Sequence, residues 1–423
     1  MPESAATPSS EGPRPSRLRW LMIAFAFLAT VINYLDRQTL SITAPLLKQE
    51  FGMNDETYGL ILSAFMLAYT VMNGLSGPFI DRFGTRVGYA CCMLWWSTAG
   101  VLHMFVRGPL SLGAFRFLLG MGEAGNWPAA VKLVSEWFPA KERALASGIF
   151  NSGSALGAVI APPLITWLVV KWGWQQAFLV VGLLGYVWLA GWWLIYRVPE
   201  HVQAELRRER IPPSRLFQTR FVPFFTLSKV FLDPVWYFYI FWIPKYLSSV
   251  HHLSLLDIGK LAWIPFVTAD IGNLCGGALT TLLANRGCPI PQARKVSISV
   301  FTVLMTSAIA AVFAPNVGWS LAFVSIATFG YTGCSANMLA LPADVFPKSV
   351  VASVYGFASM GSGFGGMLFS WLTGRVIDQH GYMPVLIGYG IMPLIALAIL
   401  LFLCGPLHRD GKFATASLRP PAI

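Results

Sequence analysis

Charge is what this 423-residue chain has least of. Asp, Glu, Lys and Arg make up 12% of it, about half the share found in soluble domains. A soluble core built from this composition would leave large apolar patches in water. A water-soluble globule is therefore excluded, and a bilayer is the expected solvent. The six cysteines offer no disulfide framework. Cys91, Cys92, Cys275, Cys334 and Cys404 fall in apolar segments as small hydrophobes, and Cys288 falls in a loop expected on the reducing, cytoplasmic side. No His, Cys and carboxylate group has metal-ligand spacing, no glycine loop is placed to cradle phosphates, and no nucleophile stands with a base. Neither a metal nor a cofactor is expected, and ATP-driven pumping and enzyme chemistry are disfavoured.

Hydrophobic sequence is abundant: 55% of residues, with a mean hydropathy of +0.60. Twelve stretches are long enough to cross about 30 Å of hydrocarbon. They run over 20–45, 57–80, 87–106, 110–133, 144–168, 175–197, 221–247, 256–284, 296–314, 318–340, 350–374 and 382–406. The polar linker 198–220 divides them six and six. The expected architecture is an all-α membrane protein of twelve transmembrane helices in two six-helix bundles, 20–197 and 221–406, with disordered or polar tails at 1–19 and 407–423.

The net charge of +11 points to topology and not to nucleic acid, because the basic residues cluster between the hydrophobic stretches. Arg14, Arg17 and Arg19 precede the first span, and Arg207, Arg208, Arg210, Arg215 and Arg220 fill the linker. Short Lys/Arg-rich loops mark the cytoplasmic side, so both termini are expected there, in a bacterial inner membrane. Gly148, Gly153 and Gly157 in the fifth span correspond in position to Gly361, Gly363, Gly365 and Gly366 in the eleventh. Small residues let membrane helices approach closely, and the matched placement suggests a moving interface between halves.

Ionisable residues inside such spans are costly and mark function. Arg116 and Glu123 lie seven residues apart, on nearly one face of a helix. An Arg can receive a carboxylate through two parallel hydrogen bonds, and low dielectric disfavours a charged Glu, suiting it to carry a proton. Asp36 and Arg37 form a second pair, preceded by Asn33 and Tyr34; as helix neighbours they point in different directions and do not simply neutralise each other. Asp36 is a second proton-carrying candidate. Tyr69, Asn73, Asn126, Asn273, Asn337 and Tyr355 could bond a hydroxylated ligand, as could Trp236 and Tyr237 in the seventh span. There Pro234 and Pro244 are expected to break the helix. Lys229 and Asp233 interrupt the same span, and Asp270 stands one turn before Asn273. Gly77, Asp81, Arg82, Gly84 and Arg86 form a loop whose glycines allow a tight turn and whose Asp could latch the cytoplasmic side.

The pattern GxxxDRxGxR at Gly77–Arg86 and WFPAKER at Trp137–Arg143 resemble the major facilitator superfamily. Within it, NYLDRQTLS (Asn33–Ser41), the stretch Gly120–Lys132, ALPADVFPKSVVASVYG (Ala340–Gly356), Leu232–Leu247 and Trp263–Gly277 look like the anion:cation symporters, and most of all bacterial hexuronate transporters. The resemblance covers nearly the whole chain between the tails. It implies import of a carboxylated solute with protons by alternating access. The carboxylates matching Asp36 and Glu123 would couple protons, with the matching Arg37 and Arg116 near the anion path. Related galactonate carriers place an Asn where this chain has Gly356, which favours glucuronate or galacturonate over galactonate. Another organic anion, an aldonate, aldarate or aromatic acid, is the alternative. The expected partners are that anion, protons and lipid, and a single chain should contain the whole pathway.

Overall fold

The computed structural model describes residues 17–197, 213–253, 261, 263–405 and 407. The tail 1–16, most of the linker and the end of the chain lie outside the described residues. Within them the chain is helical, with no strand. The first half holds α1 (Leu18–Glu50), α2 (Asp55–Leu102), α3 (Pro109–Glu123), α4 (Asn126–Trp137), α5 (Arg143–Trp172) and α6 (Trp174–Ile195). The second holds α7 (Phe221–His251), α8 (Ile264–Asn285), α9 (Ile290–Met305), α10 (Ser307–Val312), α11 (Val317–Val345), α12 (Val351–His380) and α13 (Met383–Ala398). The twelve spans map onto these helices. Leu110, Val170, Leu194 and Phe402 stand almost fully outside the fold, as lipid-facing side chains do.

Several helices differ from the simple one-span pattern. The second and third spans form one helical run, α2, interrupted at Gly84 (φ 80°, ψ 160°). A Cβ on Gly88 would stand 2.8 Å from Ile80 Cα, whereas eight residues of straight helix separate atoms by about 12 Å. The chain thus folds back at Gly84, in a conformation that glycine adopts without a Cβ penalty. The fourth span is split at Ala124 and Gly125 into α3 and α4. By contrast, α7 continues through Pro234 and Pro244, so the expected break is absent. Membrane helices tolerate proline where neighbouring groups and local adjustment re-satisfy the freed carbonyl.

Each half has its own apolar core. The N-half cluster around Met93, Trp96, Trp188 and Trp192 also takes in Leu339, Ala343, Val351, Ala352 and Tyr355 from the other half. The halves meet chiefly along α2 with α12 and α5 with α8. There a Cβ on Gly148 would collide with the Asn273 carbonyl, and one on Gly363 with Thr70. The other expected interface glycines serve packing within a half. Gly153 and Gly157 lie on α1, and Gly361, Gly365 and Gly366 lie on α7.

Candidate functional site

A cavity of about 330 Å³ lies between the halves. Its lining reaches Gln38 and Ser41 in the second half of α1 and Leu62 in the first turns of α2, toward the α1–α2 connection and away from Leu18. A second depression at Ser41, Ala44, Pro45, Lys48 and Tyr58 shares Ser41 with it and continues it outward. The cavity therefore opens at the end opposite the termini. Of the residues singled out from sequence, Tyr34, Arg37, Tyr69, Asn73 and Arg116 line it from the first half. Trp236, Tyr237, Asn273 and Tyr355 line it from the second.

Glu123, at the end of α3, is fully buried, and its Oε2 accepts from Arg37 Nε of α1 at 2.6 Å. Arg116, two turns away on the same helix, is not its partner. The packing of α1 against α4, which begins three residues after Glu123, decides this pairing, and helical spacing could not reveal it. The Arg37 guanidinium is surrounded by rings: Tyr69 at 4.6 Å, Phe65 at 5.4 Å, Tyr34 at 5.6 Å and Trp127 at 5.7 Å. These faces stabilise a cation when water is excluded. Arg116 is 3% exposed, with Phe178 at 5.9 Å. Its Nε and one terminal nitrogen have no hydrogen-bond partner among the described residues, nor do Glu123 Oε1 and one terminal nitrogen of Arg37. Asp36 does not line the cavity. It points behind the wall, where a Cβ on Gly100 would come within 3.1 Å of its Oδ1, and its Oδ2 has no hydrogen-bond partner among the described residues.

The second half contributes another ion pair, Lys229 Nζ to Asp233 Oδ2 at 2.7 Å, one turn apart on α7. Tyr331 Oη donates to Asp233 Oδ1 at 3.2 Å, and the Tyr331 ring stacks on Trp236 at 5.2 Å and 8°. The halves touch within the cavity through amides. Asn151 Nδ2 donates to Asn273 Oδ1 at 3.0 Å, while Asn151 Oδ1 accepts from Trp127 Nε1 at 3.1 Å. Asp270 also lines the cavity.

Two expected ligand contacts are corrected. Asn126 is buried inside the first half, accepting from Tyr89 Oη at 2.7 Å and donating to Thr30 Oγ1 at 3.1 Å. Asn337 is likewise consumed by Thr280, Arg294 and the carbonyls of Gly276 and Gly333. Both amides satisfy neighbouring helices and do not face the cavity. Gly356 packs against the Asn73 carbonyl, so its missing side chain permits close approach and says nothing of substrate. Tyr355, Ser359 and Ser362 are the cavity-facing residues of α12. Sequence reading missed Trp127 as a lining residue and Lys229 as a site residue, the latter because it reads there only as an interruption of an apolar stretch.

At the end bearing the termini the cavity is closed. Asp81 Oδ1 pairs with Lys132 Nζ at 2.7 Å, and its Oδ2 accepts from Ser353 N at 2.7 Å and Ser353 Oγ at 2.6 Å. Ser353 lies in the first turn of α12, where free N–H groups and the helix dipole favour a carboxylate. Asp344 joins Arg143 at 2.9 Å and Arg294 at 2.8 Å, while Arg294 also reaches the Ala140 carbonyl at 3.0 Å. Gly77 makes room for this closure, since a Cβ there would strike Ala352. Arg82 and Arg86 are not part of it. Arg82 is exposed beside Phe83, and Arg86 donates to the Trp193 carbonyl of its own half at 3.0 Å.

Residues 26–291 match the family model of the Major Facilitator Superfamily. The chain is 31% identical over 402 residues to a hexuronate transporter of Escherichia coli strain K12, covering 90% of this chain and 93% of that protein. It is 27% identical to a D-galactonate transporter of Escherichia coli strain CFT073, covering 94% and 98%. Among solved structures it resembles a proton:xylose symporter bound to 6-bromo-6-deoxy-D-glucose, with TM-score 0.75, 13% identity and coverage of 93% and 97%. The chain belongs to the major facilitator superfamily. It is a multi-pass membrane transporter and not an enzyme.

Proposed function

We propose that this member of the major facilitator superfamily imports a hexuronate, glucuronate or galacturonate, together with protons. The observation that carries the reading is the Arg37–Glu123 pair, 2.6 Å long with its carboxylate fully buried, in the wall of a cavity open at one end. A substrate carboxylate entering the open end meets Arg37 and Arg116, whose Nε and one terminal nitrogen have no hydrogen-bond partner among the described residues. Two parallel hydrogen bonds from a guanidinium hold a carboxylate in a fixed plane. When the substrate takes Arg37, Glu123 loses its cation, and an unpaired carboxylate in low dielectric takes up a proton. One anion has entered and one carboxylate has been neutralised, so the site's net charge is unchanged. Asp36, behind the wall, is a second proton-carrying group. Release of the Asp81 and Asp344 ties would then open the opposite end. The Lys/Arg-rich terminus-bearing end supports a cytoplasmic placement of that end, in a bacterial inner membrane, and one chain contains the full path. The two relatives' names, hexuronate and galactonate transporter, favour a sugar acid, with another organic anion as the alternative.

The test is uptake of radiolabelled glucuronate into proteoliposomes under an inward proton gradient, with galacturonate, galactonate and benzoate as competitors. Gradient-dependent accumulation, blocked mainly by galacturonate, is expected. Accumulation of galactonate or benzoate in place of glucuronate would replace the substrate and leave the coupling scheme standing. Persistence of gradient-driven accumulation after neutralising both Glu123 and Asp36 would remove the coupling scheme.

A further inference from the structure

We infer that Lys229 and Asp233 form a dyad that reads a pair of adjacent hydroxyls at the end of the substrate remote from its carboxylate. The inference rests on the reading that the substrate is a polyhydroxylated acid. Both side chains line the cavity and are nearly buried, 5% and 9% exposed, with Nζ and Oδ2 2.7 Å apart. An ammonium has three donors and no acceptor. Asp233 takes one, and the described residues supply no hydrogen-bond acceptor for the other two; the Tyr355 ring lies 5.4 Å away and Tyr237 is also near. The Asp233 carboxylate offers about four acceptor positions and uses one for Lys229 and one for Tyr331, the latter at 3.2 Å, long for an O–H···O bond. The cavity wall therefore presents spare donors and spare acceptors side by side.

A vicinal diol satisfies both at once. One hydroxyl oxygen accepts from Lys229, and its neighbour donates to Asp233. A second carboxylate does not fit this pair, because Asp233 repels it. An aromatic acid offers it no partner. Trp236, one turn along α7 from Asp233 and stacked on Tyr331, supplies a flat apolar surface for the C–H face of a sugar ring. A pair kept only for packing is the competing account. A buried ion pair generally holds a fold together no better than apolar side chains of the same volume, and an apolar pair in this wall would leave no spare donors facing the cavity. The placement also divides the work between halves: Arg37 and Arg116 grip the carboxylate from the first, and the dyad takes the hydroxyls from the second. Only a ligand that reaches both draws the halves together, a form of selection by closure.

The experiment is a cycle between protein and substrate. Uptake KM is measured for glucuronate and its monodeoxy derivatives with the wild type, Lys229→Met and Asp233→Asn. Wild-type uptake of glucuronate checks the functional reading by itself. If the wild type carries a different polyhydroxy acid, that acid and its deoxy forms replace glucuronate, and the dyad is tested all the same. Lys229→Met should raise KM for the full polyol by about 10- to 100-fold, the range for hydrogen bonds to charged groups. Removing the matching hydroxyl should raise the wild-type KM similarly, and both changes together should cost little more than either alone. Additive penalties at every hydroxyl would overturn the inference. So would a larger Lys229→Met effect on an aldarate than on the uronate, which would assign Lys229 to a second carboxylate. Melting of each purified variant checks folding. Should Lys229→Met fail to fold, Asp233→Asn, which keeps the size and one acceptor, carries the same cycle.

Discussion

The cavity and the gate below it both bury charge, and they treat it oppositely. In the gate, Asp81 accepts from three donors, Asp344 binds two arginines, and Arg294 reaches Asp344, Asn337 and the Ala140 carbonyl. In the cavity, Arg116, Arg37 and Glu123 each keep a buried polar atom with no hydrogen-bond partner among the described residues. A fully satisfied buried network fixes one arrangement, whereas a partly satisfied one is costly. The gate is built to hold the halves together until its ties break as a set. The cavity leaves partners missing where an anion and a proton would supply them.

This comparison can be broken by substitution, beginning with the largest expected effect. Arg37→Ala removes the anchor and strands Glu123; loss of one partner of a buried pair costs about 3–5 kcal/mol. Initial uptake rate should fall at least about 100-fold, with a lowered melting temperature. Arg116→Gln should raise KM by about 10- to 100-fold and leave melting nearly unchanged, since no protein partner is stranded. Equal melting losses for the two variants would erase the distinction between paired and waiting charges.

On the gate side, Asp81→Asn weakens charge-assisted bonds to Lys132 and Ser353, each worth about 1.5–3 kcal/mol. The closed end should open more often. Labelling of a Ser359→Cys reporter by an impermeant thiol reagent applied at the terminus-bearing side should accelerate about 10-fold or more. An unchanged labelling rate would show that Asp81 does not hold the gate. Asn126→Ala leaves Tyr89 Oη and Thr30 Oγ1 without that partner and should cost about 1–3 kcal/mol of stability with KM unaltered. The smallest effect belongs to Arg82→Ala, which should change neither labelling nor uptake, because Arg82 is exposed and tied to neither half's gate residues.

The sequence carried the helical pattern well, because apolar length is a local property. Asp36, Arg37, Arg116 and Glu123 were legible as functional candidates for the same reason: charge in a greasy stretch is conspicuous. Which charge meets which was not. Glu123 pairs with Arg37, 86 positions away on another helix, whereas the i to i+7 spacing showed only that Glu123 shares a helix face with Arg116. Asn126 and Asn337 had the same signature as Asn73 and Asn273, a lone amide in a span. Only packing reveals that the first two are consumed away from the cavity, while the last two line it, Asn273 also accepting from Asn151. Lys229 and Asp233 were visible as interruptions at one-turn spacing, a signal that could have been read as an ion pair on the cavity wall.

The central claim is that the Arg37–Glu123 pair exchanges its partner for substrate and proton. Its most direct test is Glu123→Gln in proteoliposomes, comparing proton-gradient-driven accumulation with substrate counterflow in the same preparation. The account predicts that counterflow persists, because Arg37 and Arg116 still hold the anion, while accumulation against a gradient is lost. Accumulation that survives the substitution, with counterflow intact, would contradict it.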